Sequence, residues 1–325
     1  MTANRLVDEK LVIEVCENEL STILEAQKFY DPQIESIAAA LRKFCDIGYE
    51  KRRLSIDDIF KIADALDVDL YEVDQDKLPN DKVHGMLVRA NTLKKNDSCK
   101  IFVSKELDEA KTIFVICHEL GHLIKEHDSL SAHEDFYTFK NLRRHIKGEH
   151  EANYFAGALL IHEKYYLQTC RDKNYNFDSI AKAYGVSYET ATHRFANLSD
   201  MVRHFLKVNE CGEVLKKANK TSKNIDWPIM KEVCDCWGAK KAHEYDIGNI
   251  YSQISILQDC LGNDIDSFFC FSKLVKKRHG KQTITLGFGL EDAMAIPQFY
   301  SNENVVKKIC TLNDKSCCEI NKINS

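Results

Sequence analysis

One short pattern constrains this chain more than anything else in it. In Thr112-Ile113-Phe114-Val115-Ile116-Cys117-His118-Glu119-Leu120-Gly121-His122-Leu123-Ile124, an apolar run is broken by two histidines four residues apart and by a glutamate next to the first. The apolar spacing from Glu109 to about Glu126 predicts a helix. Residues four apart on a helix share a face, so His118 and His122 can converge on one cation in the H-E-x-x-H arrangement. Glu119 projects beside them. Zinc lowers the pKa of a bound water towards about 7, and a neighbouring carboxylate can take its proton as it attacks a peptide carbonyl. The bland alternative is a pair of core histidines with ordinary partners. It would bury three ionisable groups on an apolar face at a cost of several kcal/mol. The expectation is therefore a Zn2+ site with His118 and His122 as ligands and Glu119 as catalytic base.

A catalytic zinc takes three protein ligands and keeps one position open. His127 follows His122 by five residues where the longer H-E-x-x-H-x-x-G-x-x-H pattern needs six, and the intervening glycine is missing. A better source is Glu149-His150-Glu151-Ala152-Asn153-Tyr154-Phe155-Ala156, in a helical stretch read from Gly148 to Tyr166. Its small residues suit packing against the first helix. Glu149 and Asn153 share a face, which makes Asn153 an outer partner for the ligands. Glu151 and His150 compete for the third position, and a solvated charge at a helix start is the ordinary alternative for each.

These two segments together resemble the ImmA/IrrE family of metallopeptidases. The likeness rests on Phe114 to His122 and on Glu149 to Leu160, and it extends over about residues 55–200. In that family the first glutamate of the E-x-E-A-N block is the third zinc ligand, which the resemblance places on Glu149. The resemblance also implies a zincin-like fold and, as substrate, a DNA-binding repressor protein cut under stress or on a mobile-element cue. Ile161-His162 stands where the family usually has Met-Pro, a departure at a helix end and away from the zinc site.

The flanks suggest further units. Residues 1–50 read as two helical stretches, Leu11 to Phe29 and Gln33 to Cys45, parted by Asp31-Pro32. Ser55 to Leu66 has helical spacing. Val68 to Val73, His84 to Ala90 and Cys99 to Ser104 read as strands, and Asp128 to His145 as a polar loop with a short helix. Phe177 to Leu198 has the spacing of a helix-turn-helix, with Gly185 at the turn and Ser187 capping the second helix. Between Asn176 and Asp200, however, the basic residues Lys182 and Arg194 face three acids, Asp178, Glu189 and Asp200, a poor balance for phosphate contact. Direct DNA binding by this unit is thus weakly supported. From Phe205 onward, runs such as Thr283 to Gly289 read as a separate α/β domain of GAF-like type.

Ala152 to Ala156, Val186 to Glu189 and His193 to Phe195 are also similar to the short-chain fatty acyl-CoA regulators that carry a peptidase-like domain. Phe205 to Val214, Cys234 to Trp237, Leu286 to Phe288, Cys310 and Cys317-Cys318 echo their carboxy-terminal region. That likeness implies a second function class, a ligand-responsive transcription regulator with a non-catalytic zinc site. Such regulators begin with a helix-turn-helix that residues 1–50 do not show. Cys234, Cys236, Cys310, Cys317 and Cys318 contain no C-x-x-C pair and read as ordinary thiols.

Whole-chain properties narrow the class. A hydrophobic fraction of 44% over 325 residues supports several ordered domains and excludes a disulfide scaffold. Thirteen cysteines, an odd number, point to reduced thiols. No basic-then-apolar leader and no apolar run near 20 residues is present, so the expectation is a cytoplasmic protein without membrane contact. A net charge of -5 argues against wholesale nucleic-acid binding. The fold expected is α+β, divided into a helical extension (1–50), a zincin-like metallopeptidase domain with a small sheet (51–170), a helix-turn-helix-like unit (171–204) and a sensory or protein-binding domain (205–325).

Overall fold

The computed structural model describes residues 30–81, 83–89, 98–125, 139–210, 214–219, 250–258, 264–277, 280–289, 292 and 305–310. The chain divides into two compact units. The first takes in residues 30–170 and 176–194, and the second residues 171–175 and those from Phe195 on.

The first unit opens with helix α1 (Pro32–Phe44). Proline suits its first position, and the Asp31 side chain accepts from the backbone N–H groups of Gln33 and Ile34. Helix α2 (Ile56–Ala65) starts on a capping box in which Ser55 and Asp58 satisfy each other's backbone N–H. A left-handed Asp67 then turns the chain into strand β1 (Val68–Val73). Strands β2 (Gly85–Val88) and β3 (Cys99–Ser104) complete a sheet of order β1-β3-β2, with β1 parallel and β2 antiparallel to β3. Helix α3 (Glu109–Ile124), capped by Asp108, packs on α2, β2 and β3. Helices α4 (Phe139–Leu160), α5 (Glu163–Asp172), α6 (Phe177–Tyr184) and α7 (Tyr188–Leu198) come next.

The core lies where α2 and α3 meet the sheet and where α1 and α3 pack against α4: Ile34, Ala38, Ile59, Ile62, Ile101, Val103, Ile113, Ile116, Leu120, Phe155 and Leu159 are all buried. Two arginines are buried with them. Arg42 donates to the main-chain carbonyls of Leu159, Gly48 and Lys51, and so ties α1 to the end of α4. Arg194 of α7 donates from Nη2 to Glu35 Oε2 of α1 at 2.7 Å, while Tyr154 of α4 donates to Glu35 Oε1 at 2.6 Å. Two buried charges out of water are tolerable only when paired and hydrogen-bonded in this way.

Two boundaries differ from those expected. The helix carrying Glu149 begins at Phe139 rather than Gly148, because its polar first turns lack the apolar periodicity that marks a helix in sequence. It also ends at Leu160, and Glu163 starts a new helix after the Ile161-His162 break. The helix pair 177–198 is present as expected, with Gly185 left-handed at φ +66° and the Ser187 hydroxyl accepting from the Thr190 N–H. The helix expected over Leu11 to Phe29 and the loop from Asp128 fall largely or wholly outside the described residues, as does His127.

The second unit is a six-stranded sheet of order β5-β4-β8-β7-β6-β9. Its strands are β4 (Val202–Asn209), β5 (Val214–Asn219), β6 (Ile250–Gln258), β7 (Asp264–Lys277), β8 (Gly280–Gly289) and β9 (Val305–Cys310). All neighbours pair antiparallel except β6 with β9. Register puts Phe205, Phe269, Phe271, Leu286 and Phe288 on one face and Leu206, Cys270, Ser272 and Thr285 on the other, and all of these are buried. The strand expected at Thr283 to Gly289 lies in β8. The helical part of the α/β expectation, and the Trp237 region, lie outside the described residues.

Candidate metal centre

Helix α3 is apolar on the side that meets the sheet and α4, and its last two turns carry His118, Glu119 and His122. Gly121 brings α4 close, since a Cβ at this position would sit 2.9 Å from the Cα of Ala152. With no side chain between the two backbones, the turn of α4 just before Ala152 reaches the two histidines. Glu149 is on that turn. Its Oε2 lies 3.3 Å from His118 Nε2 and its Oε1 lies 3.3 Å from His122 Nε2, while the two Nε2 atoms are 3.0 Å apart.

These spacings suit a cation. Ligand atoms at about 2.0–2.2 Å from a tetrahedral zinc lie about 3.4 Å from one another. The three side chains each offer one ligand atom, all within 4.8 Å of one another, and no other such group of three occurs among the described residues. Two imidazoles and a carboxylate are also a common donor set for catalytic zinc.

The electrostatics point the same way. Burial opposes a charge on His118, yet the Glu149 and Glu119 carboxylates hold its pKa above the ordinary imidazole value. Burial would raise the Glu149 pKa, but hydrogen bonds from His118 and His122 hold it far below the usual carboxylate range. The centre thus favours positive charge among its donors, the place a divalent ion would take. Glu119 differs. Burial raises its pKa against the pull of the two histidines, with the Leu87 backbone of β2 a lesser lowering influence.

The structure separates the competitors for the third position. Glu151 points to Lys147, 3.6 Å away on its own helix, and neither it nor His150 joins the group. Asn153 donates to the Glu149 main-chain carbonyl at 2.7 Å and so braces that turn of α4. Two contributors carried no sequence signal: Gly85, which lies against Glu119, and Arg89, whose guanidinium donates to the His122 carbonyl at 2.9 Å. Both act through contacts between a strand and a helix that are distant in sequence.

The two basic residues of the helix-turn-helix-like pair differ in environment. Arg194, the basic residue of α7, is only 1% exposed and is committed to Glu35. Lys182 on α6 is left as the exposed cation of the pair.

Fold and site together define the class: an α+β domain with a His-His-carboxylate group on two crossing helices. Residues 78–196 match the family model described as the IrrE N-terminal-like domain, a peptidase family, in agreement with the resemblance drawn from the sequence. A relative from Cereibacter sphaeroides, named propionyl-CoA carboxylase regulator, is 26% identical over 137 residues, which is 40% of this chain and 29% of that protein. The chain thus matches less than a third of that relative's length. Among solved structures, a Mycobacterium tuberculosis transcriptional regulator aligns with 89% of this chain and 87% of its own, at 18% identity and a TM-score of 0.65, a likeness of fold. No described helix is long and apolar enough to cross a membrane.

Proposed function

We propose that this chain is a zinc-dependent endopeptidase that cuts a specific regulatory protein of DNA-binding repressor type, in the cytoplasm, as part of a stress or mobile-element response. The observation that supports it most directly is Glu119, a half-buried carboxylate set beside two histidines and a second carboxylate that together suit zinc. His118, His122 and Glu149 hold the metal. When bound, zinc supplies Lewis-acid activation of a water. Glu119 accepts the proton of the attacking water and returns it to the departing amine, and its raised pKa makes it a stronger base than a solvated glutamate. A structural zinc site would have no use for such a base.

Residues 1–50 are assigned to a helical extension, 51–170 to the peptidase domain, 171–204 to a helix-turn-helix-like unit and 205–325 to a domain that senses a signal or binds a protein. The decisive experiment mixes the purified zinc form with a repressor encoded beside it. Cleavage by the wild type and none by Glu119→Gln supports the proposal, while equal cutting by both overturns it.

The names of the relatives favour a second function class, a ligand-responsive transcription regulator whose carboxy-terminal domain binds an acyl thioester. A salt-dependent, sequence-specific shift of DNA together with proteolytic silence would select it.

A further inference from the structure

Strand β2 and helix α3 meet in register. On one face of the strand Gly85 lies against Val115 and Glu119 and Arg89 reaches His122, and these three helix residues are spaced i, i+4 and i+7 along one face of α3. A Cβ on Gly85 would overlap Val115 Cγ1 and lie 3.1 Å from Glu119 Oε1 and 3.3 Å from Glu119 Cγ. Among the described residues, strand β2 is an edge of its sheet and pairs with β3. Arg89 takes up the His122 carbonyl, one of the last acceptors of α3 that the helix itself leaves open.

Resting on the assignment of Glu119 as base, we propose that β2 is the element that aims it: Gly85 is a positioning residue that leaves room for the Glu119 side chain beside the metal. The ligand set is held instead by the crossing of α3 and α4. Base and metal are therefore separable by substitution. Gly85→Ala displaces Glu119 and leaves His118, His122 and Glu149 together.

The test uses the full chain loaded with zinc. Zinc affinity is measured by chelator competition, and the affinity of acetohydroxamate by calorimetry, since a zinc-bound hydroxamate also hydrogen-bonds to the base. Gly85→Ala is expected to bind zinc within about twofold of wild type and to lose at least about tenfold in acetohydroxamate affinity, as Glu119→Gln does. With a cleavable substrate, kcat falls about a hundredfold and KM is unchanged. Because the new methyl also strikes Val115, the double variant Gly85→Ala/Val115→Ala is run beside it, which relieves that overlap and keeps the one with Glu119. Wild-type acetohydroxamate affinity in the folded double variant overturns the proposal, and so does loss of zinc in step with loss of acetohydroxamate. A wild type that cleaves nothing while Gly85→Ala still loses acetohydroxamate and keeps zinc would reject the peptidase function and support the positioning role.

Discussion

Gly121 and Ala152 let the two site-bearing helices touch backbone to backbone: a Cβ on Gly121 would lie 2.9 Å from the Ala152 Cα and 3.1 Å from its carbonyl oxygen. Both distances from Glu149 to the histidines depend on this crossing, because Glu149 approaches them from the second helix.

Gly121→Val should push α4 away. The expected cost is about 1–3 kcal/mol of stability from overpacking, with zinc affinity lowered about 10–100-fold. Chemical denaturation and chelator competition measure the two effects, and unchanged zinc affinity would show that the crossing does not set the site.

Glu149→Ala should lower zinc affinity by more than the 10–100-fold typical of outer partners, since it removes a ligand. Glu151→Ala should leave it unaltered, as Glu151 is engaged with Lys147. Metal analysis after dialysis decides between them, and the reverse ranking would move the third ligand to Glu151.

The buried pair of Glu35 and Arg194 gives an asymmetric expectation. Arg194→Met leaves Glu35 charged and unpaired in the core and should cost about 3–5 kcal/mol. Replacing both, with Glu35→Leu added, should cost less than the single change, because no orphaned charge remains. Urea titrations of the two variants provide the comparison.

Asp58 links stability to pH. Burial would raise its pKa, but the Lys51 ammonium at 2.7 Å and the Ser55 N–H and hydroxyl at 2.8 Å hold it below the ordinary carboxylate value. A carboxyl group with a depressed folded pKa stabilises fully above its unfolded value, about 3.9, and the contribution fades as pH falls through the lower folded value. Asp58→Asn should therefore cost about 1 kcal/mol near neutrality and flatten the acid limb of the stability profile. Thermal melts from pH 7 to pH 2 would show it, and an unflattened acid limb in the variant would rule Asp58 out.

Zinc should also stabilise the fold by mass action. At a free concentration one hundred times its Kd the gain is about 2.7 kcal/mol. The gain should vanish in His118→Ala, as followed by melting with and without a chelator.

The pattern of residues alone determined the local part of this protein. Histidines four apart on an apolar helix must share a face, Ser187 must cap the helix it opens, and Gly185 must turn the chain between two helices, because each depends only on neighbours within a turn or two. The same local logic failed where polarity hides a helix, as in the turns from Phe139, and where a charge is sequestered. Arg194 has the look of a surface cation and lies paired with Glu35, a partner 159 residues away. The approach of Glu149, rather than Glu151 or His150, to His118 and His122, that of Gly85 to Glu119, and the closing of α3 on α4 at Gly121 are contacts between distant segments. Only the tertiary structure could decide them, since helical periodicity specifies which face a residue occupies and says nothing about which element that face will meet.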